Sequence, residues 1–163
     1  MAMGRIATIG LMLCGALLAA VAAGAAGAAA KPVVPRPVQL RILHTKPALA
    51  YAPTRGAFGF HYVSWQRSPS NVEITFDNKA GWEIRFIALP TSGSCRTGME
   101  KSFQLDGNKV YWSHTGAEQM AWRCVTAPSG KQVRLVASSP QPSTKFADVG
   151  LGRVVASGKR IAA

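Results

Sequence analysis

Negative charge is the scarcest property of this sequence. Among its 163 residues, seven Asp and Glu stand against 19 Lys and Arg, which gives a formal net charge of +12 at pH 7. The carboxylates are scattered, so a two-carboxylate glycosidase site would need distant residues such as Glu100, Asp106 and Glu118 to meet. The chain therefore offers little local acid–base chemistry, and its charge favours anionic partners.

The sequence also lacks the motifs that mark metal sites and nucleophiles. It has no CxxC pair, no HExxH, no acidic calcium-binding loop and no adjacent pair among its three histidines. The stretch Ser92–Cys95 lacks the Gly-x-Ser-x-Gly spacing of a hydrolase nucleophile. We therefore expect no cofactor, no metal and no catalytic activity, with an enzyme built from non-local residues as the alternative.

The N-terminus has the organisation of an export signal. Arg5 is the only charged side chain in residues 1–30, and an uncharged apolar run from Ile6 to Val21 leads into small residues. We predict a signal-peptide helix over residues 1–30 that is cleaved, so that the protein is secreted or periplasmic. An uncleaved membrane anchor is the alternative, because about 20 apolar residues span a bilayer. Lys31 and Arg36 would then lie on the far side, against the positive-inside bias.

Removing the predicted signal peptide removes one of the three cysteines and leaves Cys95 and Cys124. Two thiols in an oxidising compartment usually pair, so the sequence predicts a disulfide, with free thiols as the alternative. Closing a loop of about 30 residues would stabilise the fold by about 3–4 kcal/mol. Because Cys124 alternates with Met120 and Trp122, we expect these three residues to face the core and the bridge to attach the loop after Pro90 to their strand.

Composition divides the rest of the chain at about residue 54. Residues 31–53 hold five of the ten prolines and predict an extended linker, within which the alternation over Val38–Leu43 suggests an edge strand. All 13 aromatic residues lie beyond residue 50. We therefore expect a single folded domain over residues 54–163.

Apolar residues recur at every second position through most of that domain, which is typical of half-buried strands. The clearest runs are Phe58–Val63, Val72–Phe76, Trp82–Ala88, Gln119–Val125 and Lys131–Ser138, with a weaker one at Leu151–Ser157. No run of ten residues has a convincing helical period. The sequence predicts an all-β fold, an antiparallel β-sandwich or small barrel of about eight short strands.

Two turns allow a register to be predicted. A five-residue loop over Asp77–Gly81 would place Phe76 opposite Trp82, and Glu73 opposite Arg85 as a cross-strand ion pair. The dipeptide Asp106-Gly107 favours a type I′ turn, in which the two residues that flank the turn face each other. A three-residue turn at the same place is the alternative.

Trp65 is the tryptophan whose neighbours suggest a ligand. Simple alternation places it on the same face as His61 and Val63, opposite Tyr62, with Arg67 close by. If that face is exposed, His61, Trp65 and Arg67 form a stacking platform for a sugar, a base or a protein partner. Burial in a second sheet is the alternative.

These observations predict a secreted, non-catalytic all-β binding domain that acts at an anionic envelope or extracellular surface, either a polymer or a lipid. Lys and Arg are spread nearly evenly along the chain, whereas nucleic-acid readers cluster them, so we expect no specific nucleic-acid recognition. A protein inhibitor of an extracellular hydrolase, which would present residues 89–98 to its partner, is the first alternative. An enzyme whose site is assembled from non-local residues is the second, and a generally basic surface without a dedicated partner is the alternative interpretation of the charge.

Overall fold

The computed structural model describes residues 32–96, 101–115, 118–140 and 150–163; the predicted signal peptide lies outside these ranges. The described elements in chain order are α1 (Arg36–Thr45), a 3-10 helix (Pro47–Leu49), β1 (Tyr51–Pro53), β2 (His61–Arg67), β3 (Val72–Asp77), β4 (Glu83–Thr91), β5 (Lys101–Leu105), β6 (Asn108–Thr115), β7 (Glu118–Thr126), β8 (Gln132–Ser139), α2 (Gly152–Ala156) and β9 (Gly158–Arg160).

Seven of these strands form one sheet with the order β2-β3-β4-β8-β7-β6-β5, and β1 pairs with β9. Every pair is antiparallel. The mostly β, antiparallel architecture predicted from the period-2 pattern is thus confirmed. The edges of the large sheet are β2 and β5.

Residues 32–53 belong to the folded unit, which runs from Pro32 to Ala163, so they are not a linker. The edge strand predicted at Val38–Leu43 is wrong, because this segment lies inside α1. Proline in the first turn suits a helix, since its fixed φ is already helical and its missing N–H is not needed there. The i, i+4 spacing of Val38 and Ile42 then directs both side chains to the core, where Ile42 is completely buried.

The weaker run at Leu151–Ser157 is also helical rather than extended, because α2 occupies its centre. Nearly all residues of α2 are buried. A mostly apolar run as short as this one carries no clear period that separates a buried strand from a buried helix.

The β3–β4 hairpin has the predicted loop length but a register shifted by two residues. Phe76 faces Ile84 rather than Trp82, so the same side chains still share one face. The shift arises because the Asn78 side-chain oxygen accepts hydrogen bonds from the backbone N–H groups of Ala80 (3.0 Å) and Trp82 (2.9 Å). These bonds hold Trp82 in the loop and move the turn one residue along the chain.

The same shift removes the predicted ion pair between Glu73 and Arg85. Glu73 faces Ile87, and Arg85 pairs with Glu83 on its own strand. The β5–β6 hairpin, in contrast, has the predicted type I′ register, with Leu105 opposite Asn108. Positive φ angles at Asp106 (51°) and Gly107 (72°) are those that a type I′ turn requires.

The core lies on one face of the seven-stranded sheet, which we name the core face; the other is the outer face. Its buried side chains include Val72, Ile74, Phe76, Ile84, Phe86, Ala88, Val110, Ala121, Val133, Leu135 and Ala137. The C-terminal segment lies very close to this face. A Cβ added at Gly152 would lie 2.8 Å from the Phe103 ring, and one at Gly158 would lie 2.9 Å from Leu135.

Candidate anion-binding end of the sheet

The structure does not assemble the predicted platform of His61, Trp65 and Arg67. The pairing of β2 with β3 skips Val63, which forms a β-bulge. An extra residue reverses the alternation of side chains, so Trp65 lies opposite Ile74 and packs against the core. His61, on the other side of the bulge, is exposed on the outer face. The prediction that Trp65 shares a face with His61 is therefore wrong, and nothing in the local sequence marks the bulge.

Charged side chains are distributed unequally between the two ends of the seven-stranded sheet. One end carries turns 68–71, 106–107 and 127–131 and loop 92–96; we name it the basic end. The other carries loop 78–82 and the residues where β6 ends and β7 begins; we name it the acidic end. Among the described residues, the basic end has eight cations and two carboxylates, Asp106 and Glu73, the second of which lies one residue pair from Arg67; its cations are Lys46, Arg55, Arg67, Arg96, Lys109, Arg123, Lys131 and Arg134.

The other end is close to neutral. Among the described residues it holds the carboxylates Asp77, Glu83 and Glu118 beside the cations Lys79, Arg85 and Lys101. The hydrogen bond that Arg85 donates to the Glu83 carboxylate is the largest cause of the raised pKa of Arg85. The negative charges of Glu83, Glu73 and Glu118 raise this pKa further. Cations and carboxylates that are interspersed along the sequence are thus brought to different ends of the sheet by the antiparallel strand order.

Several basic-end cations are held by neutral oxygens rather than by carboxylates. The Lys46 ammonium donates to the Pro69 carbonyl at 3.0 Å, and Arg134 donates to the Ser94 carbonyl at 3.1 Å. Arg55 is the exception, because it pairs with Asp106 at 3.0 Å. A hydrogen bond to a carbonyl positions a cation without cancelling its charge, so this end keeps a net positive field.

The predicted disulfide between Cys95 and Cys124 is confirmed, with 5.8 Å between the two Cα atoms. The position of the bridge differs from the prediction. Cys124 and Trp122 lie on the outer face of β7, and Ala121 of the same strand faces the core. Trp122 is nevertheless buried, and its indole N–H donates to the Cys95 carbonyl at 2.8 Å. The bridge and this bond attach loop 92–96 to the outer face.

That attachment bears on the inhibitor hypothesis. Residues 89–91 of the proposed inhibitory segment belong to β4, and residues 92–96 lie against the sheet. Residues 97 and 98 lie outside the described residues. The described part of this segment is held down at Ser94, Cys95 and their partners, and the inhibitor function stays a prediction.

A cleft opens where β6 and β7 separate at the basic end. The two strands pair from Thr115 and Glu118 as far as Tyr111 and Trp122. Beyond that point residues 108–110 pair with β5, and residues 123–126 pair with β8. The cleft has a volume of about 250 Å³ and is lined by Cys95, Gly107, Asn108, Lys109, Tyr111, Arg123 and Cys124. We name it the β6–β7 cleft.

Arg123 is the half-buried cation of this cleft. Its guanidinium donates to the carbonyl oxygens of Val155 (3.0 Å) and Gly158 and to the side-chain oxygen of Asn108. All three acceptors are uncharged. Burial lowers the pKa of Arg123, and the nearby Tyr51 opposes that shift. The side chain thereby ties α2 and β9 to the sheet.

A second cleft of about 290 Å³ lies at the same end and is lined by Lys46, Arg67, Ser68 and Pro69. Here Arg67, a member of the predicted platform, lies beside a second cation. The hydroxyl of Ser68 accepts the backbone N–H groups of Ser70 and Asn71, which fixes the turn between β2 and β3. Both clefts therefore combine positive charge with a rigid turn.

Within the described ranges, no group of three or more His, Cys, Asp and Glu side chains could hold a metal ion. Neither described α-helix has the length and apolar content needed to cross a bilayer.

The described residues brought together at the basic end have chemistry suited to holding anions: eight cations, two carboxylates, and aromatic rings beside a cleft. Sequence reasoning found the net charge and the disulfide but missed Lys109, Arg123 and Arg134 as neighbours, because only the strand order brings them together. Comparison with protein-family models, curated proteins and solved structures finds no significant match to this chain.

Proposed function

We propose that this chain is an exported, non-catalytic domain that binds phosphate-rich or carboxylate-rich surfaces through the basic end of its sheet. The observation that carries the proposal is the uneven distribution of charge among the described residues, with eight cations and two carboxylates at one end and equal numbers of each sign at the other. Clustered positive charge attracts an anionic surface, and the attraction falls off over a Debye length of about 8 Å at physiological salt. Binding should therefore be oriented, with the basic end toward the surface.

The compartment and the finer architecture belong to the same proposal. We infer that residues 1–30 are a cleaved signal peptide, which the disulfide supports because such bonds persist in oxidising compartments. We also infer a two-layer, sandwich-like arrangement, which is supported by Tyr51 and Ala52 of β1 in the core cluster. An intact-mass measurement of the exported product would locate its N-terminus.

The test of oriented binding uses two double variants with the same net charge. Arg67→Gln with Lys131→Gln removes two exposed cations from the basic end, and Lys79→Gln with Lys101→Gln removes two from the acidic end. Each cation near an anionic membrane contributes about 1 kcal/mol, so the basic-end variant should bind about 30-fold more weakly. The acidic-end variant should lose less than about threefold.

Retention would be measured on vesicles of phosphatidylglycerol mixed with phosphatidylcholine and, separately, on polyuronate-coated beads. These two probes distinguish a lipid from a polymer as the source of the anions. Retention should weaken steeply between about 50 and 300 mM salt. Equal losses in both double variants would show that net charge alone drives binding, and salt-independent retention would remove the electrostatic basis of the proposal.

A further inference from the structure

The β6–β7 cleft is a feature that general surface attraction does not require. Its walls are the type I′ turn at Asp106-Gly107, the Cys95–Cys124 disulfide, and the parts of β6 and β7 that no longer pair with each other. Because β6 stays paired with β5 and β7 stays paired with β8, the opening is held from both sides. The cleft is therefore preformed, as binding sites for small groups usually are.

The charge inside the cleft is unbalanced. Arg123 and Lys109 line it, and none of the lining residues is acidic. The closest carboxylate in sequence, Asp106, is engaged by Arg55 at 3.0 Å. Half-buried cations are normally balanced by an anion, and the hydrogen bonds of Arg123 end on uncharged oxygens. A bound anion would supply that balance.

The number of free donors indicates which anion fits. A guanidinium has five N–H groups, and the described residues accept three of those on Arg123, which leaves two. Arg123 enters the cleft from the core face of β7, and the exposed ammonium of Lys109 adds further donors from the outer face of β6, so the two cations approach the gap between the strands from opposite sides. Two guanidinium donors plus an ammonium match the three terminal oxygens of a phosphate monoester, whereas a carboxylate has only two oxygens to offer.

The cleft also has an aromatic wall for the group that carries the phosphate. The Tyr111 ring is stacked on Trp122, with centroids 6.0 Å apart and 22° between the planes. Trp122 is fixed in turn by its bond to the Cys95 carbonyl. The Lys109 ammonium lies 5.5 Å from the Tyr111 centroid, so the cation and the ring face the same space.

We propose that the β6–β7 cleft binds a phosphate monoester, such as the terminal phosphate of a phosphorylated polyol, with Lys109 and Arg123 as cationic ligands and Tyr111 as the wall for its carbon chain. This inference rests on the proposed function and extends it, since it assigns one phosphate-binding site within the basic end. It predicts saturable binding of a small ligand at physiological salt, which diffuse attraction to a surface does not.

The experiment titrates the full exported protein with glycerol phosphate while backbone amide resonances are followed by NMR at about 150 mM salt. We expect saturable shifts at residues 107–111 and 122–124, with a dissociation constant near about 1 mM. Lys109→Gln should weaken this binding at least about tenfold. Lys131→Gln, which removes an exposed cation from the same end but outside the cleft, should leave it within about twofold.

Three outcomes would overturn the assignment: shifts that do not saturate, equal weakening by Lys109→Gln and Lys131→Gln, or equal affinity for glucuronate and glycerol phosphate. Tyr111→Leu provides a second variant, expected to weaken glycerol phosphate more than inorganic phosphate, because only the former has carbon atoms to pack on the ring. If glycerol phosphate shows no saturable binding while the two double variants still differ in surface retention, the assigned phosphate site is wrong and oriented surface binding stands. If glycerol phosphate binds as expected while the two double variants are retained equally, the phosphate site stands and the oriented surface function is wrong.

Discussion

The basic and acidic ends of the same sheet are stabilised by different means. At the basic end, loop 92–96 is held by a disulfide and by hydrogen bonds from Trp122 and Arg134 to backbone carbonyls. At the acidic end, loop 78–82 is held by hydrogen bonds to the Asn78 side chain, and Arg85 pairs with a carboxylate. One end thus keeps its charge while the other neutralises it.

This difference shows how a cluster of like charges can be tolerated in a folded domain. Repulsion between cations favours local opening, and a covalent bridge opposes opening whatever the ionic strength. Carbonyl oxygens fix the positions of Lys46, Arg123 and Arg134 without removing their positive charge. The basic end can therefore be both rigid and strongly charged, which is the combination that oriented binding to an anionic surface needs.

The largest effect is expected from removal of the bridge. Cys95→Ala with Cys124→Ala should lower the free energy of unfolding by about 3–4 kcal/mol, because a loop of about 30 residues is no longer closed in the unfolded chain. Urea denaturation would measure the loss. Amide hydrogen exchange should accelerate more in loop 92–96 and the basic ends of β7 and β8 than in loop 78–82.

Ser94→Ala is the matched control, since it changes the same loop but keeps both the bridge and the carbonyl that Arg134 uses. A stability loss below about 1 kcal/mol in the double variant would contradict the role given to the bridge. Equal acceleration of exchange at the two ends would contradict the contrast between them.

Local chemistry accounts for the parts of the fold that the sequence predicts correctly. The Asp106-Gly107 register follows from two residues that accept positive φ, and the disulfide follows from two thiols and an oxidising compartment. The errors in strand register and in side-chain face arise where one side chain changes the position of a turn or one extra residue interrupts the alternation of a strand. Asn78 bonds move the β3–β4 register by two, and the bulge at Val63 reverses the face of Trp65.

The candidate site could not be predicted, because its residues meet only through strand order. Lys109, Arg123 and Arg134 belong to three different strands, and β8 enters the sheet between β4 and β7. An even spread of Lys and Arg along the chain therefore says little about their distribution in space. The position of the carboxylates decides the asymmetry, and this also depends on which turns share an end.

A second comparison between the ends concerns two glutamines. Gln119, on the core face toward the acidic end, is completely buried, and among the described residues neither its amide oxygen nor its nitrogen has a hydrogen-bond partner. An unsatisfied buried polar group costs about 1–3 kcal/mol. Gln119→Met keeps the length of the side chain and removes both polar atoms, so it should raise the free energy of unfolding by about 1–2 kcal/mol.

Gln132→Met tests the same exchange at the basic end. Gln132 is exposed and its amide donates to Thr126, so this change should leave stability within about 0.5 kcal/mol. Urea denaturation of the two variants side by side separates the effect of burial from that of the exchange itself. A destabilised Gln119→Met variant would mean that the buried amide is satisfied in solution.

The smallest stability effect, and the sharpest test of charge position, is expected from Asp106→Asn. Asp106 lies in a turn of the basic end, and its pair with Arg55 is exposed, so removing the charge should change stability by less than about 1 kcal/mol. Asn tolerates the positive φ of this turn position, so the hairpin should persist. Retention on phosphatidylglycerol vesicles should strengthen by about fivefold, as one added positive charge near the surface predicts.

Asp77→Asn raises the net charge equally at the acidic end and should strengthen retention by less than about twofold, since it lies beyond the range of screened attraction. Equal gains in the two variants would mean that the surface responds to total charge, and that the two ends of the sheet do not differ in function.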